Sequence, residues 1–162
     1  MSEKYQSETI DIRLAKPSHG ERMADMSKRL IEAGLPWWCW TPKRIAKVIR
    51  APDTVAIVAV VGKRLVGFAV MHFGDEHAHL NLLAVEPPFR RRCVGRELLQ
   101  WLEESCTVAG ILSVSLEVRA NNATAIRFYE SLGYKKGERI ARYYCGTEAA
   151  QRMTHQLGRE VS

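Results

Sequence analysis

The stretch AVEPPFRRRCVGRELLQWLEE (residues 84–104) leaves the end of an apolar strand, turns at Pro87 and Pro88, and runs through three consecutive arginines into an amphipathic segment. Val94, Leu98, Leu99, Trp101 and Leu102 fall on one side of that segment, the spacing of a helix that starts near Val94 or Gly95. A helix start presents unpaired backbone N–H groups and the positive end of the macrodipole, which suits it to anions and to phosphate in particular. Arg90, Arg91, Arg92 and Arg96 add full charges around those amides, and Gly95 lets a phosphate approach the backbone. Together they predict a pyrophosphate cradle. Taken alone, a short basic run is as readily a solvated surface or a nucleic-acid patch; the apolar strand before it and the helix after it supply the context that a phosphate loop requires.

Upstream, TVAIVAVV (54–61), RLVGFAVMHFG (64–74) and AHLNLLAVE (78–86) read as three strands, and their short connections imply antiparallel pairing. Before them, ETIDIRLAK (8–16) alternates Ile10, Ile12 and Leu14 with polar residues, as a half-buried strand does. SHGERMADMSKRLIEAG (18–34) predicts a helix with Ser18 at the N-cap, Met23, Met26, Leu30 and Ile31 on its apolar side, and Gly34 as its stop. TPKRIAKVIRAP (41–52) predicts another, with Thr41 at the N-cap and Pro42 at the first helical position. Downstream come a strand, ILSVSLEVR (111–119), and a helix, NNATAIRFYESLG (121–133), capped by Asn121 or Asn122. RIARYYCG (139–146) and QRMTHQL (151–157) are candidate closing strands. The order is β-α-α-β-β-β-α-β-α-β-β, a mixed α/β chain, and no repeat or linker divides it, so a single domain over residues 1–162 is expected. Whether the last segment completes the sheet or joins two copies in a homodimer is open at this point.

The bulk composition is that of an ordinary globular protein, with 46% hydrophobic and 26% charged residues. No run approaches the ~20 apolar residues of a membrane span, and the opening MSEKYQSETID lacks the apolar centre of a secretory signal, so a cytoplasmic protein with no membrane partner is expected. Cys39, Cys93, Cys106 and Cys145 are scattered without a C-x-x-C pair, which signals neither a metal site nor a disulfide framework. The net charge of +6 fits a polyanionic cofactor, an acidic protein or a nucleic acid. Nucleic acid is the least favoured, because no aromatic stacking motif or recognition helix accompanies the arginines.

VEPPFRRRCVGRELL (85–99) resembles the acetyl-CoA signature of the GNAT superfamily of N-acetyltransferases, V-x-P-x-x-[RQ]-x-x-G-x-[GA], with Val85, Pro87, Arg90 and Gly95 in place. Cys93 stands where the signature has its first glycine. LEVRANNATAIRFYESLGYKKGERIARYY (116–144) resembles the ribosomal-protein-alanine N-acetyltransferases, whose pattern L-E-V-R-x-x-N-x-x-A-I-x-x-Y-x-x-x-G-[FY] is followed by a Tyr-Tyr pair. The resemblance covers about residues 79 to 146. It implies a mixed, mostly antiparallel sheet of six to seven strands flanked by about four helices, in which two parallel strands splay apart at a bulge. It also implies acetyl-CoA as co-substrate, no metal, and direct acetyl transfer to a protein N-terminal α-amino group.

By the same resemblance Glu117 is the general base and Tyr129 the acid that protonates the leaving thiolate. Leu83, Ala84 and Val85 pair with the pantetheine arm, the backbone groups coming from Leu83 and Val85. Arg90, Arg91, Arg92, Cys93, Val94, Gly95 and Arg96 hold the pyrophosphate, and Asn122 reaches the cofactor. Trp37 and Trp40 of GLPWWCWTP (34–42), with Tyr143 and Tyr144, line the acceptor side. On bare sequence grounds Glu117 is a solvated or salt-bridged strand-end carboxylate with Arg119 as a candidate partner, Tyr129 is a half-buried aromatic beside Phe128, and the tryptophans belong to a core-packing loop. A carboxylate titrating near ~4.3 is a weak base for an ammonium near ~10, so the site must shift one of them or relay the proton. A small-molecule amine is the alternative acceptor, and a basic nucleic-acid-binding module without catalysis is the alternative from another class.

Overall fold

Strands that are apolar at almost every position need cover on both faces, and two such runs, Thr54–Val61 (β2) and Arg64–Phe73 (β3), lie inside one seven-stranded sheet. The computed structural model describes residues 9–90 and 92–158. Around β2 and β3 the sheet adds Ile10–Leu14 (β1), His77–Val85 (β4), Ser113–Arg119 (β5), Lys135–Tyr144 (β6) and Glu148–Gln156 (β7), in the order β1-β2-β3-β4-β5-β7-β6. Every pair of neighbours is antiparallel except β4 and β5. The expected order of elements and the mixed, mostly antiparallel sheet are therefore present. The last strand completes the sheet by inserting between β5 and β6.

Helices Gly20–Met26 (α1) and Pro42–Arg50 (α2) cover one face, where Met23, Met26 and Ile45 meet Val58, Phe68, Val70 and Leu82. Val94–Val108 (α3) and Ala123–Ser131 (α4) cover the other, with Leu98, Leu99, Leu102 and Ile126 against Ile57, Ala69, Met71 and Leu116. Two caps follow the sequence: Thr41 Oγ1 accepts from the Arg44 N–H at 3.3 Å, and Asn122, not Asn121, accepts from the Ala125 N–H at 3.1 Å. Ser18 does not cap α1. Pro17 starts a 3₁₀ turn, Pro17–His19, one residue earlier, and the Lys16 N–H is taken by His19 Nδ1 at 2.9 Å.

The first helix ends in a widened π turn, Ser27–Ile31, closed by the Glu32 N–H on the Ser27 carbonyl at 2.8 Å. Glu32, only 7% exposed, then holds the tryptophan loop. One carboxylate oxygen accepts from the Cys39 and Trp40 N–H groups at 2.6 and 3.1 Å, and the other from Ser27 Oγ at 2.8 Å.

The sheet opens between its two parallel strands. β4 and β5 pair only from His77 opposite Ser113 to Leu80 opposite Leu116. Against β3, Leu82 faces Val70 but Leu80 faces Met71, so Asn81 is an extra residue in β4. A bulge of this kind bends the strand that carries it, and past it residues 81–85 and 117–119 no longer pair with each other.

Glu32→Ala removes the acceptor for two half-buried backbone N–H groups and one buried hydroxyl. The variant is expected to lose about 2–3 kcal/mol of unfolding free energy in a urea titration, and Glu32→Gln, which keeps an amide oxygen in place, about half of that.

Candidate active site

The opening between β4 and β5 is a cleft of about 190 Å³. Leu30 and Ile31 of the π turn form one wall, residues 80–83 and 116–119 its sides, and Asn122, Ala125 and Tyr129 of α4 its far wall. Strand geometry determines which backbone groups face it. The Glu86 N–H bonds the Val66 carbonyl at 2.8 Å, so by alternation Ala84 also turns its backbone to β3, while Leu83 and Val85 turn theirs to the unpaired edge. The Ala84 side chain is buried as well, so Ala84 offers the cleft no group, contrary to the expectation. The Val85 carbonyl already accepts from Arg90 Nε at 3.2 Å, which folds Arg90 back onto the strand end.

At the mouth of α3, Cys93 is the N-cap residue and has φ 62° and ψ 16°, the left-handed region. The signature glycine position thus keeps a glycine conformation with a cysteine in it, at a cost on the order of 1–2 kcal/mol. Val94 is buried in the core. Gly95 also sits tightly against α4, because a Cβ there would stand 3.2 Å from Phe128 Cζ and the ring would have to give by a few tenths of an ångström. Arg92 lies over the Phe89 ring at 5.3 Å, as does Arg64, and Arg96 is exposed on the first turn of α3. Arg91 lies outside the described residues.

Glu117 projects into the cleft with its side chain only 7% exposed. One oxygen, Oε2, is hydrogen-bonded to His79 Nε2, and Oε1 accepts from Arg152 Nε at 3.0 Å. The bond from His79, reinforced by Arg152, holds the carboxyl below its usual range in spite of burial. His79 is pushed the other way, mainly by the bond to Glu117 and further by its Nδ1 contact with Asn81 Oδ1 at 2.8 Å. Arg119, the bare-sequence partner of Glu117, bonds the Ile31 carbonyl at 2.8 Å instead and pairs with Glu148 at 3.6 Å. Across the cleft, Tyr129 is buried rather than half-buried, packed edge-on against Phe128 and Tyr134 at 5.1 and 5.7 Å. Burial alone raises its phenol pKa.

A backbone edge left free by a bulge, an open helix N-terminus beside it, and a carboxylate and a phenol lining one cleft are the features to compare with known proteins. The profile of the acetyltransferase (GNAT) family matches residues 20–134. The chain belongs to the GNAT family. Among its GNAT relatives, the catalytic subunit of the N-terminal acetyltransferase B complex of Arabidopsis thaliana is 33% identical over 117 residues, which is 69% of this chain and 67% of that one. The ribosomal protein bS18-alanine N-acetyltransferase of Salmonella typhimurium is 41% identical over 81 residues, 50% of this chain. That match spans 55% of the Salmonella protein's own length. The crystal structure of the ribosomal-protein-S18-alanine N-acetyltransferase from Escherichia coli superposes with a TM-score of 0.80 at 26% identity, covering 95% of this chain and 99% of that one.

Within this GNAT chain, Glu117, Tyr129, Asn122, Leu83 and Tyr144 meet at one cleft. Trp37 and Trp40 do not line it: Trp37 is 59% exposed, and Trp40 lies under the Arg44 guanidinium at 3.8 Å. The Glu32 anchor holds their loop, and Trp38 and Trp40 pack against the core beneath α1 and α2. Tyr143 stands outside the cleft, edge-on to Tyr144 at 4.9 Å. His79, Asn81 and Arg152 were absent from the sequence expectations. The alternation of His79 and Asn81 along β4 was a visible signal, but the register that brings His79 and Arg152 to Glu117 was not.

Cys93→Gly relieves the left-handed strain at the N-cap and returns part of the gain to a more flexible unfolded chain. A net stabilisation of about 0.5–1 kcal/mol is expected in urea unfolding, where Cys93→Ala should bring none.

Proposed function

We propose that this chain is an acetyl-CoA-dependent N-acetyltransferase that acts on a protein N-terminal α-amino group by direct transfer. The observation that carries the reading is the meeting of Glu117 and Tyr129 at one cleft whose edge bears the Leu83 backbone and the Val85 N–H, unpaired with β5. A cofactor with an extended, amide-bearing arm can add to such an edge as a strand does. The N-terminus of α3, with Arg92 and Arg96 near it, suits the pyrophosphate end of the same molecule. Acetyl-CoA, when bound, supplies an activated acetyl thioester.

The chain's own groups do the rest. Glu117 takes the proton of the acceptor ammonium, freeing the nitrogen lone pair for attack on the thioester carbonyl. Tyr129, kept protonated by burial, gives its proton to the departing sulfur. Tyr144, beside Glu117 at the cleft, contributes to the acceptor wall. The choice of a protein N-terminus over a small amine is supported by the names of the Arabidopsis and Salmonella relatives.

Thiol release from acetyl-CoA, followed against alanine-initiated peptides and against small amines, tests the reading. Peptide-dependent turnover is expected, with Glu117→Gln and Tyr129→Phe each lowering kcat by roughly 10²-fold or more. Wild-type activity in the Glu117→Gln/Tyr129→Phe double variant would overturn the mechanism, and turnover with small amines alone would overturn the substrate class.

A further inference from the structure

Glu117 is a poorly placed base if it works alone. Both of its oxygens are hydrogen-bonded, Oε2 to His79 Nε2 and Oε1 to the Arg152 guanidinium, and the Arg152 bond, joined by the His79 bond whenever the imidazole is protonated, favours the bare carboxylate over its protonated form. A proton received from an ammonium cannot rest there. The structure offers a next stop, since His79 and Glu117 are directly bonded across the end of the parallel ladder, and the His79 side chain is 38% exposed where that of Glu117 is 7%.

We propose that His79 is the second proton station of this site, taking from Glu117 the proton that Glu117 removes from the acceptor ammonium and releasing it to solvent. The proposal rests on the acetyl-transfer reading above. Asn81 sets the direction of the relay. Its Oδ1, 2.8 Å from His79 Nδ1, can only accept, so Nδ1 keeps its hydrogen in both charge states and Nε2 is the nitrogen that gains or loses one. In the neutral imidazole the Nε2 lone pair faces Glu117. An N–H bond of the ammonium breaks with its electron pair left on the amine, and an O–H bond forms at Glu117. That O–H bond then breaks as an N–H bond forms at Nε2. The free amine and the carboxylate remain, the positive charge now sits on the imidazolium, and the imidazolium passes its proton to water. With His79 already protonated the chain is full and the amine keeps its proton.

The charged and titratable groups around the pair come from three strands besides β4. Arg119 lies on β5 with Glu117, Arg152 and Glu148 on β7, and Glu138, Tyr143 and Tyr144 on β6, with Glu138 3.9 Å from Arg152. The π turn contributes a backbone carbonyl, that of Ile31, which Arg119 occupies.

The test combines a titration with kinetics on the whole chain. Imidazole resonances are assigned among the five histidines with His79→Gln. His79 is expected to titrate above the ordinary midpoint of ~6.5 and to fall toward it in Glu117→Gln. With peptide and acetyl-CoA, kcat/KM should rise with pH through the His79 midpoint, because the relay is blocked below it and open above it. His79→Gln should lower kcat by roughly 10²-fold, leave the KM for acetyl-CoA unchanged and lose that limb, and added imidazole should restore turnover to His79→Ala. A His79 that titrates at its ordinary midpoint whether or not Glu117 is present would overturn the proposal. Normal wild-type turnover with an unaltered rate and pH limb in His79→Gln would overturn the relay alone. A wild-type chain that acetylates no amine would remove the acetyl-transfer reading and the relay with it.

Discussion

The parallel ladder between β4 and β5 stops after Leu80 opposite Leu116, and the site depends on that stop. Two strands that stayed paired to their ends would close the sheet, spend the backbone groups of Leu83 and Val85 on each other's hydrogen bonds, and leave no passage from the π turn to α4. The extra residue at Asn81 prevents this by bending β4 while β3 continues to hold it. β5 beyond Leu116 has another neighbour: Glu117, Val118 and Arg119 pair with Arg152, Gln151 and Ala150 of β7. Each strand therefore keeps one full ladder, and only the edges that face each other go unpaired. Leu83 and Val85 on that edge are only partly buried, so the edge is open to a further extended chain, which is what the proposed function uses.

The same opening separates the chemistry into two environments. Glu117 lies beside His79 and Arg152 and is held as an anion, whereas Tyr129 lies among Phe128 and Tyr134 and is held neutral. The group proposed to accept a proton and the group proposed to donate one are thus tuned by opposite means, charge partners on one wall and aromatic burial on the other. The network on the Glu117 wall also spans β4, β5 and β7, so it fixes the geometry of the strands that define the cleft.

Much of this was legible in the sequence because it depended on local patterns. The continuous apolar runs of β2 and β3, the Thr41 and Asn122 caps, and the apolar face of α3 each follow from neighbouring residues, and each is present in the structure. Glu117 and Tyr129, marked by the resemblance, do reach one cleft. What could not be read depends on register or on a distant anchor. His79 and Arg152 acquire their role only when strands 38 and 35 residues away align on Glu117. The tryptophan loop is fixed by the Glu32 carboxylate on its backbone, with Trp38 and Trp40 packed against the core and Trp37 exposed, a tertiary arrangement that composition does not encode. Gly95 was assigned to phosphate approach, and Phe128 supplies a further reason for it that rests on how α4 packs against α3.

The central claim is that the free edge of β4 receives acetyl-CoA, and amide hydrogen exchange reads that edge directly. Exchange is followed at residues 81–85 with and without acetyl-CoA, with the amides shared by β2 and β3 as the internal reference. The account predicts marked slowing at Leu83 and Val85 when acetyl-CoA is present, little change at Ala84, whose N–H already faces β3, and none in the reference strands. Exchange at Leu83 and Val85 that is unchanged by saturating acetyl-CoA would contradict it.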